Sequence, residues 1–208
     1  MKIGLIGAGR LGLCLALLMD KAGYSVIASD VRKDYINELQ HGIVTTTEPL
    51  VGQYLWNARN IEFTTDNLRV IEESDIIFTL VLTPSLENGS YDVSNVDDVV
   101  SDILKYGWDK DLSNKSLVIG CTTNPGDCDF FQDRLSETGI SVFYNPEFIA
   151  QGSIIKDLQN ADMVLLGGDG KHKGNLINIY KKIQYGYKEP SIHLMSTKAA
   201  EITKIAVN

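Results

Sequence analysis

The segment that most constrains this chain is Gly7-Ala8-Gly9-Arg10-Leu11-Gly12. It follows a short apolar run, Ile3–Ile6, and opens a stretch, Leu11–Ala22, whose apolar residues recur with helical spacing. A strand, a G-x-G-x-x-G turn and a helix form the arrangement in which a dinucleotide pyrophosphate rests on a helix N-terminus. Gly7 is expected to permit the tight turn, Gly9 to let the backbone approach a pyrophosphate, and Gly12 to let the helix pack on the strand. The unpaired amides and positive dipole end of the helix then meet the phosphates. Asp30 ends a second strand candidate, Ser25–Ser29, near the offset at which a carboxylate accepts hydrogen bonds from ribose hydroxyls and repels a 2′-phosphate. NAD is therefore expected over NADP, with Gly7, Gly9, Arg10, Leu11, Gly12 and Asp30 around it. Arg32 and Lys33 follow Asp30. Both are read as stacking on adenine or meeting a phosphate, with plain surface solvation the equal alternative, and Lys33 is counted among the cofactor residues.

Beyond the fingerprint, apolar runs alternate with amphipathic stretches. Strand candidates are Ile76–Val81, Ser116–Ile119, Val142–Tyr144, Met163–Leu166 and Ile192–Leu194. Helix candidates are Lys33–Gln40, Val93–Tyr106, Cys128–Glu137, about Gly174 to Ile183, and the last stretch from Ser196, with local helix expected within Thr45–Asn60. Strands that alternate with helices and are apolar throughout predict an α/β fold: a Rossmann-type doubly wound, mostly parallel sheet with helices on both faces.

The formal net charge of -8 argues against a broad nucleic-acid surface, which needs cations. No apolar run reaches about 18 residues, so no membrane span is expected. The N-terminus superficially resembles a signal peptide, but its apolar run is broken by glycines and followed by Arg10, which points to a buried strand in a cytoplasmic protein. Cys14, Cys121 and Cys128 show no metal-like spacing and read as reduced thiols, with no metal site expected.

Further segments, in order, resemble the nucleotide-sugar 6-dehydrogenases of the UDP-glucose/GDP-mannose dehydrogenase family. They are Glu48-Pro49; Val81-Leu82-Thr83-Pro84 with Gly89 and Asp92-Val93-Ser94; Cys121-Thr122-Thr123-Asn124-Pro125-Gly126; Tyr144-Asn145-Pro146-Glu147-Phe148-Ile149-Ala150-Gln151-Gly152-Ser153 with Lys156-Asp157-Leu158 and Asn160; and Ala200-Glu201-Ile202-Thr203-Lys204-Ile205-Ala206-Val207-Asn208. The resemblance covers essentially the whole chain. It implies oxidation of a sugar C6 alcohol by two NAD molecules in turn, with the aldehyde stage captured by a cysteine and the thioester hydrolysed. It implies Glu147 as a catalytic base, Lys204 and Asn208 as stabilisers of oxygen charge at C6, and Thr122 as a residue that positions water. Thr83, Cys121 and Gln151 fall at cofactor positions. Residues 1–195 would form the NAD-binding domain and 196–208 the start of an interdomain, dimerising helix, giving a homodimer in a full-length form.

The chain also departs from the family pattern. Gln151 replaces a second acid, Cys121 a serine, Leu82 and Asn124 prolines, and Arg10 a tyrosine. The glycine-rich G-F-G-G-x-C segment that carries the family's nucleophile is absent, as is the sugar-nucleotide domain. Cys14 reads as core, and Cys128 opens a helix, where a thiol pKa can be lowered; neither matches the nucleophile. The expected outcome is cofactor binding with little or no four-electron oxidation by this chain alone. UDP-glucose is the preferred nucleotide sugar, with GDP-mannose or a UDP-N-acetylhexosamine open. A non-catalytic NAD-binding module, or a dehydrogenase of the β-hydroxyacid type, is the rival. A final helix that stops mid-pattern suggests a chain cut there or naturally short.

Overall fold

A computed structural model describes residues 1–149 and 152–207. The first half runs β1 (Lys2–Ile6), α1 (Arg10–Lys21), β2 (Ser25–Ser29), α2 (Lys33–Gln40), α3 (Val51–Asn57), β3 (Ile61–Thr64), α4 (Asn67–Glu73), β4 (Ile76–Thr79) and α5 (Ser94–Tyr106). The second runs β5 (Ser116–Ile119), α6 (Asp127–Arg134), β6 (Ser141–Tyr144), α7 (Ile154–Gln159), β7 (Val164–Gly167), α8 (Lys173–Ile183), β8 (Ile192–Met195) and α9 (Thr197–Val207).

The strands form one sheet in the order β3-β2-β1-β4-β5-β6-β7-β8. All neighbouring pairs are parallel except β6 and β7, which meet antiparallel at Tyr144 and Gly167. Successive side chains of a strand point to opposite faces, and here both faces are covered. Ile3 and Leu5 of β1, Val26 and Ala28 of β2 and Phe78 of β4 pack under α1, α2, α3, α7 and α8. Their neighbours Ile6, Ile27 and Ile77 pack under α4, α5, α6 and α9. This double burial is why the strands read as unbroken apolar runs.

Three elements escape the sequence pattern. β3 is an edge strand whose Ile61, Glu62 and Thr64 are not buried. It therefore lacks the apolar run that marks the central strands. α4 is seven residues long and is capped by Asp66, just before it, whose carboxylate accepts the Arg69 amide at 3.2 Å. α7 is six residues long, too short for a clear helical period. The helix expected over Cys128–Glu137 ends at Arg134 and gives way to a 3-10 turn, Ser136–Thr138.

From β1 the chain moves outward through β2 and β3, then returns to place β4 on the other side of β1. The crevice outside the strand ends at such a reversal is where open α/β sheets hold ligands.

At the opposite end of the sheet His172 precedes α8, is 8% exposed, and its Nδ1 lies 2.9 Å from Ser116 Oγ. Burial, with Lys171 assisting and Asp75 opposing, lowers its pKa below 6.5. The folded chain therefore binds this proton less readily than the unfolded chain. Stability from the neutral ring is present above the unfolded pKa and declines as pH falls through 6.5 towards the folded value. His172→Gln is expected to flatten the loss of thermal stability between about pH 7 and about pH 5. Parallel melting-temperature curves for variant and wild type over that interval would exclude the coupling.

Candidate functional site

An open cleft of about 760 Å³ lies at the carboxyl ends of β1, β2, β4 and β5. Its floor is the glycine turn. The amides of Gly7 and Ala8 both donate to the Ser29 carbonyl, at 2.9 and 2.8 Å, which ties the turn to the end of β2. Gly7 has φ +98°, and a Cβ there would stand 2.6 Å from the Leu80 carbonyl oxygen. A Cβ on Gly12 would stand 2.1 Å from the Gly7 carbonyl oxygen, so α1 approaches the turn more closely than any side chain permits. A Cβ on Gly9 would meet no atom within 4 Å. Gly9 precedes α1, with no side-chain cap and no acid in the first turn. The helix thus presents backbone amides and its positive dipole end to the cleft, which suits a pyrophosphate. Arg10 and Leu11 line the same region.

Asp30 follows β2 and enters the cleft wall with Val31 and Arg32. Its side chain is 8% exposed and held by the Arg32 fork: Nε donates to Oδ1 and Nη2 to Oδ2, each at 2.8 Å, and the Arg32 amide donates to Oδ1 at 3.1 Å. Burial raises the Asp30 pKa, but these bonds and the Arg32 charge overcome it and hold the carboxyl below its ordinary range. The guanidinium lies 4.1 Å from the centre of the Tyr35 ring, and the Tyr35 hydroxyl donates to the Ala8 carbonyl at 2.9 Å. Lys33, expected at the cofactor, is exposed at the start of α2 and is not among the residues lining the cleft. Arg32 holds the position beside Asp30, and α2 then carries the chain away.

The facing wall comes from Leu80–Thr83 after β4, from Asn95 of α5, and from Gly120, Cys121 and Thr122 after β5. Asn95 Nδ2 donates to the Leu82 carbonyl at 2.9 Å. Asn124, in place of a family proline, accepts from the Tyr91 amide at 2.8 Å and donates to the Tyr91 carbonyl at 3.0 Å. A side-chain clamp thus fixes the wall where a ring would have stiffened it.

Glu147 closes the far end and also borders a second hollow of about 360 Å³ with Phe148, Asp157, Tyr180 and Val207. Its turn is over-determined. Asn145 donates from Nδ2 to the Leu165 carbonyl at 2.9 Å and accepts from the Tyr180 hydroxyl. The Glu147 Oε2 accepts the Ile149 amide at 3.1 Å. Lys204 of α9 is 4% exposed, donates to the Glu147 carbonyl at 2.7 Å and sits over the Phe148 ring. Burial lowers its pKa, against the opposing charge of Glu147. Gln151 and Asn208 lie outside the described residues.

The thiols differ from one sequence expectation. Cys128 does open α6, but burial pushes its pKa well above normal, and the nearby Glu201 carboxylate adds to this. Burial first, and the Glu201 charge second, work against any lowering at the helix start. Burial also pushes Cys14, a core residue, up to about 12, with Glu48 adding and Arg10 opposing. Cys121 lines the cleft and is half-buried by area, yet desolvation pushes its thiol up to about 12.

Two carboxylates carry structural weight that no local pattern marks. Glu48 is buried and accepts the amides of Gly152 and Ile154, at 2.7 and 3.2 Å, at the start of α7. Glu201 is 0% exposed and accepts from Thr123 Oγ1, from the Gly126 amide and from the Cys128 amide. Each caps a helix distant in sequence. The only hint was an acid inside a resembling motif.

Residues 1–184 match the family model described as UDP-glucose/GDP-mannose dehydrogenase family, NAD binding domain. The chain belongs to this family. It is similar to the UDP-glucose 6-dehydrogenase of Rickettsia prowazekii, 31% identical over 85% of this chain and 41% of that protein. It is also similar to UDP-glucose 6-dehydrogenase YwqF of Bacillus subtilis, 27% identical over 100% of this chain and 47% of that protein. Among solved structures, a ternary complex of GDP-mannose dehydrogenase from Pseudomonas aeruginosa superposes with a TM-score of 0.85 at 27% identity, covering 99% of this chain and 49% of that one. The chain thus spans about half the length of the relatives it matches. NAD is the family's cofactor, and the cleft fits it: the turn keeps phosphate space that a Cβ on Gly9 would enter, and a buried carboxylate stands one strand away. Among the described residues no helix is long and apolar enough to cross a membrane.

Proposed function

We propose that this chain is the NAD-binding half of a nucleotide-sugar 6-dehydrogenase, with UDP-glucose the preferred substrate. The observation that carries the proposal is the position of Glu147, shared by the cofactor cleft and the adjoining hollow and tied through its carbonyl to Lys204. A substrate alcohol at that junction would meet a carboxylate able to accept a proton. It would also meet an ammonium whose burial strengthens its pull on a developing oxyanion. Bound NAD supplies the hydride acceptor. Asn208, four residues beyond Lys204 in the sequence, would join it in stabilising oxygen charge at C6. Thr122 would orient water from the facing wall.

Residues 1–195 act as the cofactor domain, and 196–208 begin the helix that leads to the sugar-nucleotide domain and to a homodimer. Three free thiols fit a reducing, cytoplasmic setting. Their raised pKa values also favour a chain that binds cofactor but lacks an activated nucleophile of its own.

Titration calorimetry with NAD is expected to show one binding site. A turnover assay with NAD and UDP-glucose is expected to show no accumulation of UDP-glucuronate. Absence of NAD binding would sink the cofactor assignment, and sustained turnover would sink the assignment of this chain as half a site.

A further inference from the structure

The adenosine end of the cleft does not present a bare carboxylate. Asp30 is the group that should hold both ribose hydroxyls and turn away a 2′-phosphate. An ionised carboxylate offers about four lone-pair sites. Three donors already fall on Asp30, two on Oδ1 and one on Oδ2, all from Arg32. A ribose diol would therefore have to share this carboxylate or displace part of the Arg32 fork. The fork itself is braced. Its guanidinium lies on the Tyr35 ring, and Tyr35 is anchored to the glycine turn through the Ala8 carbonyl. It also borders the cleft, with its side chain 56% exposed.

Charge changes in the same direction. The repulsion a 2′-phosphate would meet from Asp30 is offset by a guanidinium 2.8 Å from that carboxylate. Two of its five donors are committed to Asp30, and a planar fork is the group best matched to a phosphate monoester. In dinucleotide folds an acid holds the ribose hydroxyls of NAD, or an Arg nearby accommodates a 2′-phosphate; here both groups stand at the same place.

We propose that Arg32 sets cofactor discrimination in this chain, so that NADP is accepted alongside NAD despite Asp30. This rests on the reading that the cofactor lies with its adenosine ribose at Asp30. Arg32 then plays two parts. With NAD it steadies the carboxylate, and with NADP it meets the extra phosphate.

The test is titration of NAD and NADP, at low and moderate salt, into wild-type chain and the Arg32→Ser and Asp30→Asn variants. Wild type is expected to bind NADP within about tenfold of NAD. Arg32→Ser is expected to shift the ratio of the two dissociation constants by about tenfold or more towards NAD, the size of one lost charge-assisted contact. Asp30→Asn is expected to shift the ratio towards NADP. Added salt should weaken NADP more than NAD in wild type, and this differential should shrink in Arg32→Ser. The proposal is overturned if wild type shows no NADP binding at a hundred times the NAD dissociation constant, or if Arg32→Ser leaves the ratio unchanged. If neither cofactor binds wild type, the cofactor reading beneath it falls as well, whereas NAD binding with an unmoved ratio overturns the role of Arg32 alone.

Discussion

Gly12→Ala is expected to weaken NAD binding by about tenfold or more, the loss of at least one backbone hydrogen bond to a charged phosphate. It should also destabilise the fold by about 1–3 kcal/mol, the usual range for an overpacked core. A methyl at this position lands 2.1 Å from the Gly7 carbonyl oxygen and 3.0 Å from Leu5 Cδ2. The leucine tip can move, but the carbonyl has little freedom, because the Gly7 amide is bonded to Ser29 and not even a Cβ fits between Gly7 and the Leu80 carbonyl. The start of α1 must therefore lift, taking with it the amides that face the cleft. Gly9→Ala is the informative contrast. Its methyl meets nothing within 4 Å, and its φ of -66° suits any residue, so folding should be spared while the phosphates lose their approach. Calorimetry with NAD and urea unfolding of both variants separate the two effects. Wild-type NAD affinity in Gly12→Ala would show that the close packing of helix on turn does not shape the anion site.

What the sequence revealed follows from which forces are local. β1, β2, β4 and β5 are buried on both faces, so their residues had to be apolar in unbroken runs, and the runs were visible. The glycine turn was visible because its demands are partly local: Gly7 takes a left-handed φ, and Gly12 lies against the Gly7 carbonyl five residues earlier. β3 was not, since an edge strand with Glu62 facing solvent needs no such run. α7 was not, because its start depends on Glu48, more than a hundred residues earlier in the chain. Asp30 lines the cleft, but its occupancy by Arg32 was not legible, because a guanidinium two residues away reads equally well as solvated. Lys33 was drawn in by the same ambiguity. The high thiol pKa of Cys128 was hidden too: helix position argues for a lower value, and only the fold brings Glu201 and burial to bear on it.

Glu201→Ala is expected to cost about 2–4 kcal/mol, the sum of donors left without a partner in a largely buried site. The carboxylate is fully buried, with a hydroxyl and two backbone amides as its donors: Thr123 Oγ1 at 2.9 Å, the Gly126 amide at 2.6 Å and the Cys128 amide at 2.9 Å. The charge is tolerated because it faces the N-terminal end of α6, where amides and dipole favour an anion. Deletion leaves the Thr123 hydroxyl and the Cys128 amide buried without partners, each at a cost of about 1–3 kcal/mol, while the half-buried Gly126 amide can turn to water. Glu201→Gln keeps the volume but turns one acceptor into a donor against donors, so an intermediate loss of about 1–3 kcal/mol is expected. The consequence reaches the cleft, because Glu201 and Lys204 stand three residues apart on one face of α9. The first holds α9 to the segment after β5 that includes Thr123; the second holds it to the Glu147 carbonyl after β6. Loosening the first contact frees α9 to shift, and the ammonium beneath Glu147 shifts with it. Urea midpoints for the two variants would rank as Ala below Gln below wild type. An alanine variant within about 0.5 kcal/mol of wild type would mean that water replaces the carboxylate, and that α9 is held by its contact with β7 rather than by this clamp.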